Sequence, residues 1–375
     1  MPFHEVSRMD ARLEFVMLAG SEGANMRQLC RRFGISPTIG YKWLERWRLE
    51  GASGLAERSR RPRTSPGRCL AAMETLVLEQ RTAHPAWGGR KIARRLRDLG
   101  HAGVPAASTV TAILRRHGVE LGAHGGGAGA FVRFEHEAPN QLWQMDFKGH
   151  VALAAGRLNP LTVLDDHSRY ALVLAACADQ RTATVRARLT EAFRRYGLPE
   201  AIITDNGAPW GDGPGHPYTP LGVWLLEQGI RVSHSRPYHP QTMGKDERFH
   251  RSLKAEVLSR TFADLDQAEQ AFQRWRTVYN CQRPHEALGL DVPASRYRPS
   301  PRSFAETVPD FEPAPGDIVR RVQQGGRTSL LGKTVRLPKA FAGKHVAFRP
   351  TTDDAVFHAF FRHQMIATIH IRALD

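Results

Sequence analysis

The sequence predicts an α/β core with all-α units before it and a small β domain after it. Three observations lead there. Residues 141–177 hold three strand-like runs followed by a helix-like stretch, 181–196, and a short apolar run, AIITD, at 201–205. Residues 11–118 contain only helical periodicity broken by turn signals. Residues 311–375 return to short alternating runs: VRLPKAF, KHVAFRP, AVFHAFF and MIATIHI.

In the first segment, helices are expected over roughly 11–19 and 25–32 and from Ser36 to about Leu49. Phe33-Gly34-Ile35-Ser36 forms the turn, with Ser36 as N-cap and Pro37 at the first helical position. Ile39, Trp43 and Trp47 repeat every four residues and are expected to face the core. Thr38, Tyr41, Lys42 and Glu45 fall on the opposite side, where a recognition helix meets base edges. A plain three-helix bundle would show the same apolar stripe. Residues 1–56 are thus expected to be a helix-turn-helix domain. Residues 57–68, ERSRRPRTSPGR, form a basic linker whose Arg61 and Arg63 could track phosphates or enter a minor groove, or be a solvated charge run. A second helical trio, 69–118, carries Ile92, Leu96 and Leu99 inward, with Arg90, Lys91, Arg94, Arg95 and Arg97 around them. Its last helix turns Val110, Ile113 and Leu114 inward and Arg115 and Arg116 outward, which suggests a second helix-turn-helix. The Gly-rich stretch 119–138 is expected to be a linker to the core, 139–300.

Charge points the same way. Lys and Arg number 53 against 37 Asp and Glu, a net charge of +16, so the partner is a polyanion: nucleic acid first, an anionic membrane surface second. No apolar run reaches the roughly 18 residues of a membrane span, and the first residues lack a signal-peptide pattern, so a cytoplasmic location is expected. The four cysteines, Cys30, Cys69, Cys177 and Cys281, are scattered without zinc-site spacing and read as reduced thiols.

Three strands, a helix, a strand ending in Asp, then helices is the order of the ribonuclease-H-like fold. Asp146 lies within the first strand, Asp205 ends the fourth, and Glu247 lies on a late helix expected from Gly244 to about Leu258. Three carboxylates in this order suit two Mg²⁺ or Mn²⁺ ions, which take hard oxygen ligands and clamp an in-line phosphoryl displacement. With Glu247 at zero on the helical wheel, Arg251 falls at about 40° and Lys254 at about −20°, while Phe249, Leu253 and Val257 share the far side. One stripe packs and the other presents an acid with two cations; ordinary surface pairing along a helix is compatible with the same spacing.

The strings NQLWQMDF, LDDHSRY, IITDNG, RPYHPQTMGKDERFHRSLK and YNCQRPHEALG resemble the integrase core of bacterial insertion-sequence transposases, which are similar to retroviral integrases; the match covers roughly 139–300. The paired helix-turn-helix arm is similar to the branch made from one reading frame. The resemblance implies that Asp146, Asp205 and Glu247 are the metal ligands and that Lys245, Arg251 and Lys254 lie by DNA. It implies a polynucleotidyl transferase that binds terminal inverted repeats, exposes 3′-hydroxyls and joins them to target DNA, as a dimer or larger assembly at the nucleoid. A catalytically silent DNA-binding regulator and a structure-selective nuclease are the alternatives. Asp166, Ser168 and Arg169 are expected to shape the core, and Tyr279, Asn280, Arg283, Pro284 and His285 to brace it or touch DNA. The Gly-Pro-rich stretch 207–217 lengthens the interval between the second and third acids beyond the family's commonest value. The tail, 311–375, is expected to be a small barrel, similar to integrase tail domains that bind DNA or a partner protomer, or else an extension of the core sheet.

Overall fold

The computed structural model describes residues 7–59, 68–120, 135–211, 218–235, 244–308 and 312–374. Arg61, Arg63 and most of the expected Gly-rich linker lie outside them. Two compact units are present, Met1–Arg68 and Cys69–Asp375.

The first unit is three helices, α1 (Arg8–Ala19), α2 (Met26–Arg32) and α3 (Pro37–Glu50), closed by a 3₁₀ turn at Gly51–Leu55. Side-chain oxygens of Ser7, Asn25 and Ser36 accept from free amides of the three first turns. Phe15, Val16, Cys30, Trp43, Leu44 and Leu55 form the core, and Arg12 lies over the Trp43 ring at 4.0 Å. The expected stripe shifts by one residue at its start. Ile39 is exposed, and Gly40 takes the buried position. The reason is space: a Cβ on Gly40 would lie 2.6 Å from Cys30 Sγ and 2.9 Å from the Phe15 ring. Ile39 therefore joins Thr38, Tyr41, Lys42 and Glu45 on the exposed side of α3.

The second unit begins with α4 (Ala71–Ala83), α5 (Gly89–Asp98) and α6 (Ala107–Arg116). Ile92, Ala93 and Leu96 of α5 meet Val110, Ile113 and Leu114 of α6 around the buried Trp87. Leu99, expected inside, is exposed, because α5 ends there and Gly100 turns the chain with φ +82°.

The core sheet is built from β1 (Leu142–Phe147), β2 (Val151–Ala152), β3 (Arg157–Asp165), β4 (Ala171–Cys177), β5 (Ala201–Thr204) and β6 (Arg231–His234). β3 runs antiparallel to β1 and β4, while β5 is parallel to both β1 and β6. β2 pairs with the first two residues of β3. Helices α7 (Thr182–Tyr196) and α8 (Pro220–Glu227) cover one face through Val185, Leu189, Phe193, Leu221, Trp224 and Leu225. Helices α9 (Gly244–Glu256) and α10 (Leu265–Cys281) cover the other through Phe249, Leu253, Phe272, Trp275 and Tyr279. α11 (Pro293–Arg296) follows a loop. Four strands form where three runs were expected over 141–177, because the first run breaks into β1 and β2; from α7 to α9 the order is as expected, and α10 is a further addition.

The tail is a separate four-stranded sheet, not an extension of the core sheet, since no ladder joins the two among the described residues. Its strands are β7 (Ile318–Arg321), β10 (His345–Pro350), β11 (Val356–Phe361) and β12 (Gln364–His370), with a hairpin of β8 (Arg327–Leu330) and β9 (Lys333–Arg336). VRLPKAF, expected as one strand, stops at Arg336, and a 3₁₀ turn at Lys339–Phe341 buries Phe341 instead. Val223 and Leu226 of α8 enter the tail's apolar core.

Replacing Gly40 by Ala should destabilise the first unit by about 1–3 kcal/mol, the usual cost of overpacking. Hydrogen exchange should then speed up in α1–α3 and stay unchanged from Cys69 onward.

Candidate active site

Side chains alternate along a strand. In β1, Trp143, Met145 and Phe147 enter the core under α7 and α8, so Gln144 and Asp146 point to the side covered by α9 and α10. The parallel register Gln144↔Ile203 sets Asp146 level with Asp205, one residue past the end of β5. Two carboxylates thus stand at the same edge of adjacent strands. Asp205 closes a local turn, its Oδ1 accepting from Gly207 N at 3.0 Å. Burial raises the Asp146 carboxyl to about 7, and the Asp205 charge adds to the rise. The Phe147 amide and the Lys148 charge pull it the other way.

Glu247 lies in the first turn of α9, exposed beside Arg248. Arg251 and Lys254 are exposed too, and Phe249, Leu253 and Val257 are buried, so the helix divides as the wheel expects. Lys245 does not join that face. Its ammonium pairs with the buried Asp166 carboxylate and lies 3.1 Å from the Asp166 carbonyl oxygen. Expected at DNA, it is instead turned inward as a tie between α9 and the β3–β4 turn.

The sequence reading missed what lies beneath Glu247. Asp246 and His250 are buried, and with Asp146 they bring three possible ligand atoms within 4.8 Å of one another. Thr162, paired opposite Asp146 on β3, links them. Its Oγ1 lies 3.0 Å from the Asp146 carbonyl oxygen, 2.9 Å from His250 Nε2 and 3.3 Å from Asp246 Oδ1. Burial raises Asp246 well above the carboxylate range, with the Asp146 charge next in effect, and burial lowers His250 to about 3. This is the only such group among the described residues, and it contains neither Asp205 nor Glu247. Glu247 follows Asp246 by one residue, so it projects about 100° further round the helix, to solvent. A signal did exist: an acid and a histidine interrupt the apolar stripe of α9 at the spacing of one helical turn.

The other motif residues are structural. Asp165 accepts from the Asn140 and Ser168 amides, both at 2.7 Å, and Ser168 Oγ lies 2.5 Å from it. Arg169 pairs with Glu135 at 2.6 Å. Asn280 bonds both backbone groups of Ala171, fastening α10 to β4. Arg283 pairs with Glu256, both nearly fully buried, and donates to Ser252 Oγ at 3.0 Å, fastening the end of α10 to α9. Tyr279 packs between Phe249 and His285. These residues brace the core.

The donor set fits a hard divalent cation. Asp146 and Asp205 offer carboxylate oxygens from neighbouring strand ends, and their mutual repulsion is of the kind a bound cation relieves. Glu247 is an exposed acid in the first turn of α9.

Comparison with known proteins agrees with this architecture. The sequence matches an integrase core domain over residues 136–240 and a second integrase core domain model over 228–293. It matches a helix-turn-helix domain over 11–63, a homeodomain-like domain over 39–114, and the C-terminal domain of IS481 family transposases over 317–374. The chain thus carries an integrase core domain preceded by helix-turn-helix domains and followed by a domain similar to the transposase C-terminal one. Its relatives include proteins of bacterial insertion elements, in line with the motif resemblance. It is 29% identical over 178 residues to the "Insertion element IS407 uncharacterized 31.7 kDa protein" of Burkholderia multivorans, covering 46% of this chain and 62% of that one. It is 32% identical over 157 residues to the "Insertion element IS476 uncharacterized 39.2 kDa protein" of Xanthomonas euvesicatoria, covering 42% of this chain and 44% of that one. The matched region thus spans less than two thirds of either relative. Among solved structures, the simian T-cell lymphotropic virus intasome in complex with PP2A regulatory subunit B56 gamma aligns over 80% of this chain and 97% of that chain, at 13% identity and a TM-score of 0.41. No helix of the described residues is long and apolar enough to cross a membrane.

Two predictions follow from the geometry. Folding raises the Asp146 carboxyl from the ordinary carboxylate range to about 7, so the stability it contributes is present at acid pH and lost as pH rises through 7. In metal-free protein, Asp146→Asn should therefore raise Tm at pH 8 and change it little at pH 4, as scanning calorimetry would reveal. Lys245→Met strands the buried Asp166 charge and should cost about 3 kcal/mol, measured by urea denaturation, while DNA affinity in a binding titration stays near wild type.

Proposed function

We propose that this protein is a DNA transposase that binds the terminal inverted repeats of a mobile element, cuts to expose 3′-hydroxyls and joins them to target DNA. The observation that carries the reading is the pair of register-matched carboxylates, Asp146 and Asp205, at the edge of two adjacent parallel strands. Burial raises Asp146 and the Asp205 charge adds to the rise, as expected for a site completed by cations.

Asp146, Asp205 and Glu247 would hold two divalent ions, Mg²⁺ or Mn²⁺, which supply Lewis acidity at the scissile phosphate and favour the ionised nucleophile. The rest falls to the chain. Arg251 and Lys254 share the exposed side of α9 with Glu247 and hold phosphates on either side of the reacting one. Thr38, Tyr41 and Lys42, exposed on α3, meet base edges, while Arg61 and Arg63 track the backbone of the same DNA. In the joining step the 3′-oxygen bonds to the target phosphorus, the bond to the target's own 3′-oxygen breaks, and the hydroxyl proton leaves to solvent. No side chain is required as a nucleophile. Two ends must meet for one insertion, so the working species is a homo-oligomer on DNA, within the nucleoid.

The test is a joining assay with a pre-cut end, target DNA and Mg²⁺. Wild type should yield joined product; Asp205→Asn should abolish cutting and joining while leaving end binding unchanged. Wild type that binds ends without product would mark a silent DNA-binding regulator, and cleavage of branched DNA without joining would mark a structure-selective nuclease. Undiminished joining by Asp205→Asn would show that the acids are wrongly assigned.

A further inference from the structure

Helix α5 carries five cations, and a helix that served only to track DNA would leave them to solvent. Most of them face protein. Arg94 donates to Asp291 Oδ1 at 2.9 Å, Arg95 donates to Gln282 Oε1 at 3.1 Å, and Arg90 approaches Glu286 at 4.0 Å. Lys91 is half-buried in the field of Arg283, Glu286, Glu256 and Arg248, and burial lowers its ammonium to about 8. Gln282, Glu286 and Asp291 all belong to the loop that leaves α10. Val278 of α10 packs into the apolar core of the α4–α6 trio. The second helix-turn-helix is thus seated on the catalytic core by an apolar plug ringed with polar pairs.

The seat is joined to the active-site helix. Arg283, in the same loop, pairs with Glu256 and donates to Ser252, both on α9, which carries Glu247. In the same trio, α6 leaves Ser108, Thr109, Ala112 and Arg115 exposed. It follows α5 as the second helix of the pair, the position of a recognition helix. A reading face and a cutting site are therefore tied to one frame.

We propose that the second helix-turn-helix is a ruler. Its docking on α10 holds α6 at a set distance from Asp146 and Asp205, so the base pairs read by α6 determine which phosphate is cut. The inference rests on the chain cutting DNA as proposed above. The residues that set cleavage position are Arg94, Arg95 and Asp291, positioning residues that touch no reacting atom.

The experiment uses the full chain and end-labelled element DNA, with the cut mapped to single-nucleotide resolution. Loss of protection in Arg115→Ala first locates the base pairs under α6. A short insertion is then placed between them and the element's end. Wild type should cut at a constant distance from the α6 site, so the cut moves with the insertion. Asp291→Arg and Arg94→Glu, each alone, should lower the ratio of cutting at the main phosphate to cutting at its neighbours about fivefold, the scale of coupling between contacting residues. The two combined should restore it, which separates a lost pair from a damaged fold. A cut that stays at the element's terminus whatever is inserted overturns the ruler, as do single variants that cut as sharply as wild type. Wild type that cuts nothing overturns the proposed function, and the ruler with it.

Discussion

The parallel pairing of β1 with β5 is the constraint on which the catalytic unit depends. It is a short ladder, from Leu142↔Ala201 to Gln144↔Ile203, and it places two acids from distant parts of the sequence side by side. A parallel pair needs a crossover between its strands, supplied here by β2, β3, β4 and α7. A slip of one residue would turn Asp146 into the packed core under α7 and Trp143 or Met145 toward α9. The large buried side chains on both faces exclude that slip. The apolar core therefore sets the position of the charged edge.

Much of this was legible in the sequence because it is written in period and punctuation. The first helix-turn-helix announced its caps at Ser36 and Pro37, and α7 and α9 fell within a few residues of their expected ends. What failed did so for physical reasons. Ile39 and Leu99 look like core residues, but one yields to the close approach that Gly40 permits and the other sits where its helix stops. α10 has a readable stripe in Ala268, Ala271, Phe272, Trp275 and Tyr279, but it carries no chemical motif of its own before Tyr279. Lys245 resembled its exposed neighbours, since a linear motif does not say that Asp166 waits beneath it. The Asp246–His250–Thr162 group was hidden for a similar reason: two of its members share a helix, but the third comes from β3.

Buried charge holds the site's surroundings together. Lys245 with Asp166, Arg283 with Glu256, and Asp165 with the Asn140 amide each join separate elements of the chain. Such contacts return little net stability beyond the cost of desolvating the ions, but removing one partner leaves a charge without compensation. They penalise alternative arrangements more than they deepen the native one. Around a site where acids must stand close together, that penalty keeps the strands from relaxing apart.

Helix α8 gives the interval between Asp205 and Glu247 a second meaning. It is buried on two sides: Leu221, Trp224 and Leu225 face the core sheet, while Val223 and Leu226 face the tail. Around it, Tyr218 packs on Phe341 with ring centres 5.0 Å apart, and Lys344 pairs with Glu227 at 2.5 Å. The interval that separates the second acid from the third thus contains the mooring of the tail. A chain that trimmed this interval back past α8 would set its last sixty or so residues adrift. The helix that spaces the second and third acids is also the anchor of the tail, so a change made for one purpose is felt by the other.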